Sequence, residues 1–300
     1  MAENIDWSEV KELRKLATKY AWCDEKIRNF LEKDNGISIR KANFYSSSPT
    51  IEDINASFEY DHKGNSLPVF SGDKYLIQDQ SKLLARLNKH FDDIDLNKFC
   101  SSTGFEWANG QFDRSDAIHY WAFINELRPQ KIIEIGSGWS SRIAACASEK
   151  TNSSITCIDP SPRAELEHLR IDFKKEQIQA FDAFKLASSL SPGDILFIDS
   201  SHSVKTGNDV VFIYCILFPL LPKGLIVHIH DLYLPYSRPR QQLTKHRLYW
   251  YEDYFTQILV SHGRLKPLIA NNFLLKSTLK DQLLETPNGI GGASIWFEVC

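Results

Sequence analysis

The 300-residue sequence has no apolar run long enough to cross a bilayer. Its longest, VVFIYCILFPLL at 210–221, falls short of the roughly 20 residues a span needs and carries Pro219 near its end. It reads instead as a buried helix. The opening MAENIDWSEV lacks the basic segment and apolar stretch of a secretory signal. Basic residues are not in excess either. Lys and Arg number 35 against 38 Asp and Glu, for a formal net charge of −3, which argues against a general phosphate-backbone binder. No C-x-x-C pair exists among the six cysteines, and Cys146, Cys157 and Cys215 sit in apolar segments, where a thiol packs as a small hydrophobe. That usage fits a reducing compartment. The expectation is a cytoplasmic protein with neither a membrane nor a nucleic acid as partner. Internal repeats and low-complexity segments are also absent.

What is present suits a folded globular chain: 43% hydrophobic and 24% charged residues exclude a disordered one. A unit of this length buries roughly 75% of its unfolded surface, so it needs no disulfide or metal to hold a core.

Residues 7–33 are rich in helix formers with apolar residues at three- and four-residue spacing. A further helix is predicted around 80–91. From residue 114 strands and helices alternate. RSDAIHYWAFINELRPQ is a helix stopped by Arg128-Pro129, followed by strand KIIEI (131–135), a glycine turn and a helix through SSRIAACASEK. SITCI (154–158) ends in Asp159, with a helix predicted over 163–172 and a short strand near 176–180. DILFI (194–198) ends in Asp199, an apolar helix spans 208–218, and LIVHIH (225–230) ends in Asp231. A helix within RLYWYEDYFTQILVSHG and two strands, KPLIA and ASIWFEV, close the chain. Nearly continuous apolar strands alternating with helices imply an α/β fold, a mostly parallel twisted sheet with helices on both faces. Loops after the strands then gather along one edge, where ligands bind.

The stretch IIEIGSGWSS (132–141) carries the first chemical signal. Gly136 and Gly138 permit a sharp turn and close approach of a ligand to the backbone around Ser137. Ser140 or Ser141 can cap the following helix, whose positive end then faces that ligand. The third glycine of the dinucleotide fingerprint is missing. Glu134, two residues before the first glycine, would repel a pyrophosphate but suits a ligand with a positive end, and S-adenosylmethionine is such a ligand.

E-I-G-S-G resembles the first motif of class I S-adenosylmethionine-dependent methyltransferases. The resemblance implies a Rossmann-like fold in which Asp159, at the end of the next strand, accepts hydrogen bonds from the ribose hydroxyls. Asp182, beyond the short third strand, is counted with the cofactor-side candidates. The stretch DILFIDSSHSVKTGNDVVFIY…FPLLPKGLIVHIHDLYLP is similar to a bacterial family of class I methyltransferase domains. In that family a strand ends in F-I-D-S-S-H, V-K-T-G-x-D follows, and a later strand ends in H-x-H-D before an aromatic residue and Pro. Asp199, Ser200, Ser201, His202, Lys205, Thr206, Gly207, Asp209, His228, His230, Asp231 and Pro235 all match. The likeness covers residues 100–300 well and the first hundred loosely. Two regions are expected: a helical extension, 1–105, and an S-adenosylmethionine-binding domain, 106–300. The extension would shape the acceptor side or mediate a homodimer.

Methyl transfer from a sulfonium is an in-line displacement, so the enzyme mainly aligns the partners and excludes water. A hydroxyl acceptor must also lose a proton, which calls for a base or an acidifying metal. Asp199, His202, His230 and Asp231 are therefore the catalytic candidates. Either a histidine acts as base, oriented by an acid, or Asp199 and Asp231 hold a divalent ion such as magnesium. The expected activity is O-methylation of a small-molecule or glycan acceptor.

Plainer roles compete. His228 shares a sheet face with His230 and reads as a satisfied core histidine. Asp209 reads as a first-turn acid, and Lys205 and Thr206 as loop-shaping or capping residues. The basic run RPRQQLTKHR (238–247) is either a solvated loop or an attractor of anionic acceptors. Asn109, Phe112 and Asp116 could close over the methionine end of the cofactor. Three other functions remain open at this point: a nicotinamide-dependent oxidoreductase, a metal-dependent oxygenase, and a non-catalytic nucleoside-binding domain.

Overall fold

A computed structural model describes residues 6–300. Its strands are β1 (Lys131–Ile135), β2 (Ser154–Ile158), β3 (Asp172–Lys174), β4 (Ile195–Ile198), β5 (Ile226–Ile229), β6 (Leu265–Ala270) and β7 (Ile295–Val299). The helices are α1 (Trp7–Tyr20), α2 (Glu25–Asn29), α3 (Ile51–Asn55), α4 (Ile77–Asn88), α5 (Arg114–Leu127), α6 (Trp139–Thr151), α7 (Ala183–Ser188), α8 (Asp209–Phe212), α9 (Arg240–Thr244), α10 (Glu252–Ser261) and α11 (Asn271–Lys276). The chain divides into two units, one formed by residues up to Phe58 with Leu243–Tyr249, the other by Glu59–Gln242 with Trp250–Cys300.

In the smaller unit, the stretch 7–33, rich in helix formers, folds as two helices and a π turn (Phe30–Asp34) rather than one continuous helix. Asp6 caps α1 by accepting from the Ser8 amide, and Asp24 caps α2 by accepting from the Ile27 amide. A second cap in mid-sequence restarts the helix, which is why the run does not continue.

The larger unit is built on a seven-stranded sheet of order β3-β2-β1-β4-β5-β7-β6. β1 to β5 pair in parallel, and β7 runs antiparallel to both β5 and β6. Strand order reverses at β1, between β2 and β4, so the chain leaves the sheet in opposite directions there and opens a crevice at the carboxyl ends. Each face carries its own apolar layer. Ile133, Ile135, Leu196, Ile198, Val227 and Ile229 face the layer that receives Val210, Ile213 and Leu217. The other face packs under α5 and α6. There one register row crosses the sheet, Cys157–Glu134–Phe197–His228–Trp296. A carboxylate and an imidazole thus lie within an otherwise apolar layer.

Residues 59–105, expected to belong to a helical extension, are part of this larger unit. Leu84, Leu87, Phe91 and Phe99 enter the core beside Trp121. Three other local expectations need correction. The segment 163–172 is not helical; Leu166 and Leu169 are buried through a single turn, which supplies the three-residue spacing that looks helical. β3 lies at 172–174, ahead of the predicted position, and 178–180 is a 3-10 turn. The apolar helix near 208–218 is α-helical only over α8, then widens to a π turn (Ile213–Leu217) and tightens to a 3-10 turn holding Pro219. Among the described residues no helix is long and apolar enough to cross a membrane.

Candidate functional site

A cleft of about 670 Å³ opens at the carboxyl ends of β1, β2, β4 and β5. Its floor is fixed by main-chain bonds between strand ends. The Gly136 amide donates to Ile158 O at 3.0 Å, and the Asp199 amide to Ile135 O at 2.8 Å. Gly136 has φ +91°, and a Cβ there would collide with the Asp199 carbonyl. The first glycine is thus required by the approach of β4 as well as by any ligand.

The turn residues Gly136, Ser137, Gly138 and Ser140 line the cleft together with Asp159. Asp159 Oδ2 accepts from the Ser137 amide (2.8 Å) and hydroxyl (3.1 Å), and Oδ1 from the Ser161 amide (2.7 Å). Its carboxylate is held in place before any ligand arrives. Ser141, at the third position of α6, accepts from the Gly138 amide at 3.1 Å and is the residue that caps that helix.

Glu134 is not in the cleft wall. It has no exposed surface and points to the opposite layer, where its oxygens accept from Tyr120 (2.8 Å), Ser141 and Cys157 (3.2 Å). Burial pushes its carboxyl up to about 7, against the lowering effect of these hydrogen bonds. Asp182 is also elsewhere: it is exposed and caps α7 by accepting from the Lys185 amide.

The end of the cleft next to β4 and β5 brings three predicted residues together. His202 Nε2 lies 3.3 Å from Asp199 Oδ1 and 3.8 Å from Asp231 Oδ2. One ligand atom from each of the three falls within 4.8 Å of the others. The carboxylates keep 39% and 31% of their side-chain surface exposed, while His202 keeps 5%. Both His202 and Asp231 have left-handed backbones, at φ +57° and +54°. On the far side of the ring, Nδ1 sits 2.7 Å from Glu252 Oε2. Burial disfavours a charged imidazole here, yet Asp199 and Glu252 outweigh it and push His202 up to about 10. Burial likewise opposes ionisation of Asp199, but the His202 hydrogen bond and the charges of His230, His202 and Arg163 hold it at about 2.

His230 lines the cleft with both ring nitrogens engaged, at 3.1 Å from Ser294 Oγ and 3.1 Å from Gln111 O. It ties the 110–112 segment to β5 and is poorly placed to accept a substrate proton. His228 is in the core as expected, but it is not satisfied: neither ring nitrogen has a partner, and burial drives its pKa well below the ordinary value.

Asp209 holds the Ser201 amide and hydroxyl at 2.7 Å each, besides opening α8. Asn208, not Thr206, caps α8. Lys205 lines the cleft. Phe112 does too, whereas Asn109 closes its own turn on Gln111 and Phe112, and Asp116 is buried against Asn271, Ala293 and Ser294. Arg238 is not a solvated attractor. It is buried and donates to Asp253, Gln242 and the Asp231 carbonyl. Glu252, Trp250 and Arg163 are site residues that sequence reasoning missed. Glu252 reads from the sequence as an ordinary first-turn acid, and nothing local marks it as the partner of a histidine fifty residues away.

Residues 133–232 match a protein family described as a methyltransferase domain. An uncharacterized protein of Archaeoglobus fulgidus is 29% identical over 141 residues, which cover 44% of this chain and 62% of that relative's length. Among solved structures, the SAH-bound Podospora anserina methyltransferase PaMTH1 aligns over 75% of this chain and 96% of its own at 16% identity, with a TM-score of 0.42. The MycE methyltransferase of the mycinamycin biosynthetic pathway, in complex with Mg, SAH and mycinamycin VI, aligns over 69% of this chain and 49% of its own at 18% identity, with a TM-score of 0.35. The strand order with its reversed β7, together with the family match over 133–232, identifies the Rossmann-like class I methyltransferase fold.

Proposed function

We propose that this methyltransferase domain moves a methyl group from S-adenosylmethionine to a hydroxyl oxygen of a small-molecule or glycan acceptor, assisted by a divalent cation such as magnesium. The observation that carries the reading is the meeting, in one cleft, of a glycine turn backed by Asp159 with the Asp199–His202–Asp231 cluster. S-Adenosylmethionine supplies an already activated methyl electrophile, so the chain's task is to hold and align. Asp159 has lone pairs left for ribose hydroxyls after its bonds to Ser137 and Ser161. The open turn at Gly138 and the Gly110–Phe112 segment, pinned by His230, leave room for the rest of the cofactor.

The donor set on the acceptor side fits a cation. Two carboxylates that keep exposed oxygens, with an imidazole nitrogen between them, offer hard ligands and leave positions for water and an acceptor oxygen. Asp199 and Asp231 would hold such an ion, with His202 Nε2 beside them, and it would supply a Lewis acid that lowers a hydroxyl pKa. Two acids and one histidine do not make the two-histidine, one-carboxylate triad of iron oxygenases. The reversed β7 also departs from the all-parallel order of nicotinamide-binding sheets.

The test is calorimetric titration of the wild type and of Asp159→Ala with S-adenosylhomocysteine, followed by transfer assays on hydroxylated acceptors with and without magnesium. Micromolar binding that Asp159→Ala weakens at least tenfold supports the reading. A folded wild type that binds no S-adenosylhomocysteine overturns it.

A further inference from the structure

Two consecutive acids, Glu252 and Asp253, open α10, and both are buried although neither lines the cleft. Glu252 Oε2 takes hydrogen bonds from His202 Nδ1 (2.7 Å) and Ser200 Oγ (2.8 Å). The main chain adds two more links, since the Tyr251 and Glu252 amides reach the His202 carbonyl at 2.9 and 3.3 Å. Asp253 serves the other loop. Its Oδ2 receives Arg238 Nη2 at 3.0 Å, and the same nitrogen donates to the Asp231 carbonyl at 2.8 Å. Trp250 touches both halves: its ring lies 4.4 Å from His202, and the Arg238 guanidinium sits 4.7 Å from its centroid. One tetrapeptide, Trp250–Asp253, is therefore joined to the loop after β4 and to the loop after β5.

Those loops need such support. His202 and Asp231 are non-glycine residues at positive φ, a strained conformation that persists only where neighbours over-determine it. An imidazole without a fixed Nδ1 partner also has no set ring orientation, and a carboxylate there normally fixes both the orientation and the tautomer.

We propose that Glu252 is the positioning residue for His202, and that the Asp253–Arg238 pair positions Asp231, so that the start of α10 sets the mutual distances of Asp199, His202 and Asp231. The proposal builds on the reading of this cleft as a cation-assisted methyl-transfer site. Glu252 meets Nδ1 and leaves Nε2 aimed at the two acids. Asp253 and Arg238 act on main chain rather than side chain, holding the Asp231 carbonyl so that its carboxylate turns toward the cleft.

The experiment uses the full chain as wild type, Glu252→Ala, Glu252→Gln and Asp253→Asn. Three readouts are taken: S-adenosylhomocysteine affinity by calorimetry, manganese(II) affinity by electron paramagnetic resonance, and the His202 Nδ1–H signal in ¹⁵N-histidine NMR spectra. Glu252→Ala is expected to lose that signal and to bind manganese 10–100-fold more weakly, the usual cost of removing such a partner. Its S-adenosylhomocysteine affinity should stay within about twofold of wild type, because Asp159 and the glycine turn are untouched. Glu252→Gln keeps an acceptor oxygen and should recover the signal and most of the affinity. Asp253→Asn should weaken manganese while leaving the His202 signal in place. A folded Glu252→Ala with unchanged signal and unchanged manganese affinity overturns the proposal. Should Glu252→Ala not fold, equal manganese binding by Asp253→Asn and wild type overturns it instead. A wild type that binds no S-adenosylhomocysteine counts against the methyltransferase reading alone, since the other two readouts do not depend on it.

Discussion

The Tyr120 hydroxyl donates to Glu134 Oε1 at 2.8 Å in a layer where neither side chain reaches solvent. Glu134 thus belongs to the fold, and its cost should appear in the pH dependence of stability. Burial raises its pKa from an ordinary 4.5 to about 7. The folded state then keeps a proton that the unfolded chain releases, so the part of the stability that depends on Glu134 is greatest below about pH 4.5 and falls as pH rises to about 7. The loss is on the order of 3 kcal/mol and levels off above that window. Glu134→Gln, neutral at every pH, should flatten the difference between urea unfolding at pH 5 and at pH 8. Parallel slopes for variant and wild type would show that Glu134 is not the group responsible.

Gly136 and Gly138 should respond differently to alanine. At Gly136 the new Cβ meets the Asp199 carbonyl with the backbone at φ +91°, so either the end of β4 or the turn must move. We expect a loss on the order of 2–4 kcal/mol and at least tenfold weaker S-adenosylhomocysteine binding. At Gly138 the nearest atom to a Cβ is 3.8 Å away, so only the strain of φ +153° remains. Thermal unfolding and calorimetry of the two variants will separate them. Equal losses would mean that conformational strain, and not the approach of β4, governs this turn.

Much of this architecture is legible because each central strand is a nearly continuous apolar run ended by a marked residue: Gly136 after β1, Asp159 after β2, Asp199 after β4. The same logic placed Asp199, His202 and Asp231 at neighbouring strand ends, and they do converge. Glu134 was harder to place. Within a strand side chains alternate, so a residue two before the turn faces a helix layer as readily as the cleft. The segment 163–172 places Leu166 and Leu169 at a three-residue spacing that suits a helix, but a single turn buries both. The Glu252–His202 contact joins residues whose separation in sequence is 50, and only the tertiary fold brings an α10 acid beneath the β4 loop.

His228 is a polar residue in an apolar setting, stacked on Phe197 at 4.2 Å and on Tyr120 at 5.9 Å, with both nitrogens unpartnered. An unmade buried hydrogen bond costs about 1–3 kcal/mol, and an apolar ring of similar shape removes that cost. His228→Phe is therefore expected to be neutral or to stabilise the protein by roughly 1 kcal/mol in chemical denaturation. A fall of more than about 2 kcal/mol would show that the ring nitrogens are satisfied in solution, as by a buried water.

If the proposed roles hold, cofactor binding and acceptor activation draw on different ends of the cleft, and removal of metal should separate them. Asp159, Ser137 and Gly138 lie on the β1–β2 side, whereas Asp199 and Asp231 end β4 and β5. Chelation is thus expected to leave S-adenosylhomocysteine affinity within about twofold while lowering methyl transfer by at least 10²-fold. Added magnesium or manganese should restore the rate. Asp231→Asn keeps the shape but removes a charged ligand, so it should raise the magnesium concentration needed for half-maximal rate by 10-fold or more, again with S-adenosylhomocysteine binding preserved. Full activity in chelator would assign proton removal to a side-chain base. The carboxylates of Asp199 and Asp231 would then be the groups to test, because the His202 imidazole between them is held protonated by Asp199 and Glu252.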